Sequence, residues 1–272
     1  MTHAHFSQTP VAGGPPALVA ANRVPDVTVA FWLIKLLAVT MGETAADYLA
    51  VNLGLGLTTT SLIMTAVLVA AMMLQFAQKR YVPWAYWLAV VLISIVGTLI
   101  TDNLVDNFGV TLETTTIAFS AVLAATFAIW FASERTLSIH SIFTTRREVF
   151  YWLAILFTFS LGTSVGDLLA ERFGLGYLTT GILFGAVIVA IAFAYYRLGL
   201  NGIAAFWLAY ILTRPLGASF GDLLSQPREY GGLGFGTTYT SLLFLGCIVV
   251  TVGYMSLTFN REDSGAIALD AE

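Results

Sequence analysis

Eight apolar stretches alternate with short polar breaks along this chain, at residues 27–48, 57–77, 82–103, 112–132, 149–170, 176–196, 202–223 and 236–257. Each runs for about 20 residues, the length a helix needs to cross the hydrocarbon core of a bilayer. The even-numbered stretches are apolar nearly all round, apart from threonines at one end. The odd-numbered ones carry polar residues at recurring positions.

Those positions define a repeat. Tryptophan opens each odd stretch, at Trp32, Trp87, Trp152 and Trp207. Ten residues on comes glycine (Gly42, Gly97, Gly162, Gly217), and fifteen on comes aspartate (Asp47, Asp102, Asp167, Asp222). A further glycine closes each hairpin at Gly54, Gly109, Gly174 and Gly234, and six residues later stands threonine, at Thr60, Thr115, Thr180 and Thr240. The tryptophans are spaced by 55, 65 and 55 residues, so the first pair of repeats matches the second at a shift of 120. Two spans per unit make all four units point the same way across the membrane. The pattern therefore predicts an all-α membrane protein of eight transmembrane helices, built as four parallel two-helix repeats. The expected units are a disordered tail (1–26), repeats at 27–80 and 81–135, a linker (136–148), repeats at 149–200 and 201–259, and an acidic tail (260–272).

At 100° per residue, offsets +8, +11, +12 and +15 from each tryptophan fall on one helix face. In repeat 1 these are Thr40, Glu43, Thr44 and Asp47; in repeat 3 they are Ser160, Thr163, Ser164 and Asp167. Repeat 2 keeps Thr98 and Asp102, and repeat 4 keeps Ser219 and Asp222. Odd helices should thus meet with polar faces inward, leaving even helices to lipid. The +10 glycines lie on the opposite side and are expected to allow close packing against an even helix. The tryptophans are expected to anchor at the interface, and Lys35, one turn in, to snorkel there.

Only 10% of the 272 residues are charged, against about 25% in soluble domains. The net charge of −4 says little about partners, and nothing suggests nucleic acid. Placement says more. Arg23, Lys79, Arg80, Arg135, Arg146, Arg147, Arg197 and Arg261 share the side of both termini, while Arg172 and Arg228 stand opposite. That bias predicts cytoplasmic termini, with the bilayer as principal partner. The single Cys247 can form no internal disulfide. His3 and His5 near the N-terminus are a weak Cu²⁺ or Ni²⁺ pattern, and no catalytic motif is present, so no enzyme is expected.

The stretches "FWLIKLLAVTMGETAADYLA" and "SVGDLLAERFGLGYLTTG" give the chain its likeness to a known family. It resembles bacterial membrane proteins of four tandem two-helix repeats of unknown function, each with a characteristic tryptophan, described as membrane-anchored. The resemblance covers about residues 30–258; repeat 2 lacks the "GLG" form and repeat 4 carries "SQPREYGG" in its loop. It implies an eight-helix plasma-membrane protein and no particular mechanism.

Four carboxylates at one depth, with hydroxyls beside them, make an oxygen-rich site suited to a hard divalent cation or to protons. Asp47 and Asp167 are the best-supported ligands, followed by Glu43, Asp102 and Asp222, with Thr44, Thr163 and Ser164 nearby. Asp47 and Asp167 are also the candidate metal ligands, and no other cofactor is expected. The leading reading is a transporter of a cation or a proton-coupled small solute; a channel or permease, or a non-transporting scaffold or sensor, are the alternatives. Glu43 and Arg214 are each unique to their repeat, project to the same helix face, and differ by about 6 Å in depth. They predict an ion pair joining the first and seventh helices beneath the aspartates.

Overall fold

The computed structural model describes residues 22–269, with side chains described to residue 258. Eight long helices are present: α1 Val29–Asp47, α2 Leu57–Phe76, α3 Pro83–Asp102, α4 Leu112–Glu134, α5 Thr145–Asp167, α6 Tyr177–Leu198, α7 Gly202–Ser225 and α8 Thr237–Leu269. All eight contain a span long and apolar enough to cross a membrane, and no strand occurs among the described residues. The last helix continues through most of the acidic tail instead of ending at the membrane surface. The N-terminal tail as far as residue 21, with His3 and His5, lies outside the described residues.

Local chemistry starts and stops these helices. Thr28 caps α1 by accepting from the Phe31 amide at 3.2 Å, and Asn201 caps α7 by accepting from the Ile203 and Ala204 amides. Pro83 opens α3, where a missing N–H costs nothing. On the far side the helices turn back through glycine. Gly54 and Gly56 hold φ of 69° and 74° with open space around them, so conformation alone requires glycine there. Directly after their aspartates, α1, α3 and α5 widen into single π turns, at Tyr48–Asn52, Asn103–Asn107 and Leu168–Arg172. Repeat 4 has none; α7 runs on to Ser225.

The four odd helices form a closed ring in the order α1, α3, α5, α7, with α7 returning to α1. The +10 glycines make this closure possible, and here the sequence expectation is corrected: each packs against the next odd helix, not an even one. A Cβ on Gly97 would lie 2.8 Å from Phe159 Cβ, and one on Gly162 would meet Arg214 and, at 3.0 Å, Pro215 Cδ. Gly42 takes Ser94 in the same way, and Gly217 takes Val39 and Thr40. Glycine removes the side chain that would hold neighbouring helices apart, four times around the ring. A single-helix projection shows that the glycine lies off the polar stripe but cannot say which neighbour fills that side.

Even helices form the outer layer. About a fifth of each even span is buried, against half to two-thirds of each odd span. Each even helix packs chiefly on the odd helix of the following repeat: α2 on α3, α4 on α5, α6 on α7, and α8 back on α1. The two helices of one repeat make little contact by comparison.

At the terminal side, where both ends of the bundle emerge, the ring is filled with aromatic side chains. Trp87, Trp152 and Trp207 are 1–5% exposed, so they are core residues and not lipid anchors. Trp32 is partly buried against Phe31 and Phe206. Each of these indoles packs against the aromatic residue that precedes the tryptophan of the previous repeat (Tyr86 against Trp152, Tyr151 against Trp207), a cross-helix packing invisible to a one-helix projection. The hydroxyls of Tyr86 and Tyr151 meet at 2.5 Å.

Candidate functional site

The polar stripes face the inside of the ring, and their deepest residue is Arg214. Its guanidinium is buried, and one nitrogen, Nη2, reaches three other helices. It lies 2.7 Å from Glu43 Oε2 on α1 and 2.7 Å from Thr163 Oγ1 on α5, and it also donates to Thr98 Oγ1 on α3. Glu43, Thr98 and Thr163 all occupy offset +11. The equivalent residue in repeat 4 is Ala218, whose small side chain leaves room at that level for the guanidinium arriving from offset +7. Thr98 also donates to Glu43 Oε2 at 3.2 Å. One cation on α7 thus ties the whole ring together, and the sequence-predicted pair of helices, α1 and α7, is joined by it. The Nε and Nη1 groups of Arg214 have no hydrogen-bond partner in the protein.

One turn further toward the loop side lies the aspartate layer. Asp47, Asp102 and Asp167 are partly exposed and Asp222 is buried, so the layer is reachable from the loop side. The four aspartates occupy one offset on the four ring helices, about one turn beyond Glu43. Asp47 Oδ2 accepts from Gln226 Nε2 at 3.3 Å. Gln226 belongs to the insertion of repeat 4, and with Glu171, Tyr177 and Tyr230 it lines a recess of about 460 Å³ beside the layer. Buried hydroxyls of Thr60, Ser160, Thr180, Ser219 and Ser225 lack protein partners and belong to the same half of the bundle.

Three of the predicted ligands have hydrogen-bond partners within the protein. Thr44 Oγ1 accepts from Ser241 at 2.8 Å, which fastens α8 to α1, and Ser164 Oγ bonds Leu161 O of its own helix at 3.0 Å. Thr163 serves Arg214. Among the described residues no group of three or more His, Cys, Asp and Glu is arranged to hold a metal ion.

Lys35 is the largest departure. It does not snorkel: it is 1% exposed, and its Nζ donates to Tyr210 O at 2.9 Å and to Thr213 Oγ1. The ammonium also lies 3.8 Å from the Tyr210 ring centroid, a cation–π contact that keeps it inside. A second network, at the terminal end, has no counterpart in the sequence reading. Glu148, fully buried, accepts from Arg23 Nη1 at 2.6 Å, Gln75 Nε2 at 3.0 Å and Trp152 Nε1 at 3.3 Å. Asn22 adds to it, accepting from the Ile142 amide at 3.0 Å and donating to Ile139 O at 3.2 Å, so the segment before α1 straps across the linker. An acid four residues before Trp152, found in that repeat alone, was the available signal.

The repeat seen in the sequence and the four-fold ring seen in space coincide with a known family pattern, matched at residues 30–81, 85–136, 150–200 and 205–259. The chain belongs to the Repeat of Unknown Function (DUF347) family. Each DUF347 copy contains one odd helix, one even helix and the hairpin between them. No curated protein and no solved structure matches the chain.

Proposed function

We propose that this DUF347 protein is a plasma-membrane transporter that takes a cation, or a small solute together with protons, from the acidic layer on the loop side. The observation that carries the reading is the stacking of two unlike levels on one axis. Four carboxylates stand at a reachable mouth, and beneath them a guanidinium bound by three helices closes the ring. Charges inside a membrane cost several kcal/mol each and persist where they serve a pathway or one another. Unpartnered hydroxyls near the layer supply further oxygen ligands.

The closed aromatic half favours a transporter over an open channel. A cation passing Asp47, Asp102, Asp167 and Asp222 meets Arg214, then Lys35, then packed tyrosine and tryptophan. Passage needs the ring to part, and the Arg214–Glu43 contact is where α1 and α7 would separate. The terminal side is assigned to the cytoplasm from its excess of Lys and Arg.

Flux into proteoliposomes tests this. Parent protein should move a monovalent or divalent cation, or protons, with saturation and counterflow. Flux without saturation would identify a channel. An inert parent, with every cation and with a proton gradient, would leave the scaffold reading and end this one.

A further inference from the structure

The ring's four-fold pattern is broken at one interface. Besides the odd helix it lies on, each of three even helices reaches the next odd helix as well. Gln75 of α2 donates to Glu148 of α5, Phe127 and Trp130 of α4 meet Trp207 of α7, and α8 touches α3. For α6 the corresponding neighbour is α1, and an open space lies between them. Gln75, Trp130 and Tyr195 stand at equivalent positions, fifteen residues after Thr60, Thr115 and Thr180. The first two are fully buried, whereas Tyr195 is 44% exposed. The cause is local. Only Gly199–Asn201 separate α6 from α7, and Tyr195 lies over Gly202, so the end of α6 is held beside the start of α7.

The result is a slot of about 950 Å³ with α6 and α1 as walls and α7 as floor. Its lining is mainly apolar: Trp32 and Leu36 on one wall, Ile188 and Ala192 on the other, Phe206 and Ala209 below. It runs from Asn201 to Leu216, fifteen residues or about 22 Å along α7, into the membrane. Apart from Thr213 on the floor, its polar lining residues, Thr28, Ser138, His140 and Asn201 among them, belong to the linker and the helix starts at the mouth. Asn201 Oδ1 caps α7, which leaves its Nδ2 free to donate outward, and the helix start favours a negative group there.

We propose that this slot holds one acyl chain of a phospholipid from the terminal-side leaflet, with the phosphate at the mouth beside Asn201. Its depth, its apolar walls, its opening to the bilayer and its single polar end match a lipid with its head at the surface. A peptide segment would bring backbone groups that the apolar walls cannot satisfy. The floor residue Thr213 also holds Lys35, so lipid contact reaches the ring itself.

The test uses full-length protein in nanodiscs of phosphatidylcholine and phosphatidylglycerol, with a photo-cross-linking side chain in place of Ala192. Cross-links to phospholipid are expected. They should fall at least tenfold when Ala209→Trp fills the floor, while a cross-linker on the lipid-facing side of α2 at Leu62 keeps its yield. Native mass spectrometry should find one phospholipid retained by the parent and none by Ala209→Trp or, if that variant misfolds, by Ala192→Phe. Adducts from position 192 to residues 1–21 would show the chain's own N-terminus in the slot and overturn the proposal. Equal lipid retention by parent and folded filled variants would overturn it too.

Discussion

Neutralising Arg214 is the sharpest perturbation that the ring offers. Arg214→Gln removes the charged contact to Glu43 at 2.7 Å and the donors to Thr98 and Thr163. It leaves Glu43, 5% exposed, beneath the aspartate layer without its guanidinium. Breaking a buried pair from one side costs about 3–5 kcal/mol, a factor of about a hundred to several thousand in the folding equilibrium. Glu43→Gln should cost less, because the aspartates above still offset the charge of Arg214 and both threonines still accept from it. Combining Glu43→Gln with Arg214→Gln should recover about 1–3 kcal/mol relative to the sum of the single changes. Reversible unfolding in mixed detergent micelles, followed by tryptophan fluorescence, measures all four proteins. Single changes that each cost under about 1 kcal/mol, or costs that simply add, would refute the view that this pair closes the ring.

Three further outcomes are expected. Asp167→Asn and Asp47→Asn should abolish flux in proteoliposomes with folding intact, and Asp102→Asn and Asp222→Asn should lower it; parent-like flux from all four would remove the aspartates from the pathway. Gly162→Ala should destabilise by about 1–3 kcal/mol through overpacking, because its methyl group overlaps Arg214, whereas Gly54→Ala should cost about 1–2 kcal/mol through its left-handed backbone alone. A melting assay reads both changes, and a Gly162→Ala protein as stable as the parent would refute the close approach of α5 and α7. Glu148→Gln should lower stability by about 3 kcal/mol as a broken buried pair and release the strap, seen as faster proteolysis near Asn22 and Arg23.

The architecture was legible because bilayer crossing imposes a length and duplication imposes a period, and both are one-dimensional. The Glu43–Arg214 contact was legible for a related reason: two residues that break a repeat at similar depth need each other. Partners across helices were harder to see. Gly162 was assigned to the correct helix side and the wrong neighbour, because ring order is not written in any single helix. Lys35 misled in the same way. Its depth suits snorkelling, but Tyr210 and Thr213 arrive from a helix 175 residues away and hold it inside. Glu148 fell just outside an apolar window and so was not counted among the buried acids.

The outer helices each lean on a neighbour's repeat, and that has a consequence for how the molecule is made. No repeat is a self-sufficient hairpin: as each one leaves the ribosome, its second helix waits for a partner not yet synthesised. For α2, α4 and α6 the wait is one loop long. For α8 the partner is α1, made first and left uncovered until the end, so the outer layer is completed only by the chain's own last helix. Until that moment, Ser241 has not reached Thr44 and one flank of the aspartate layer stands open to lipid. Premature termination before α8 therefore leaves the outer face of α1 uncovered, a ready signal for membrane quality control.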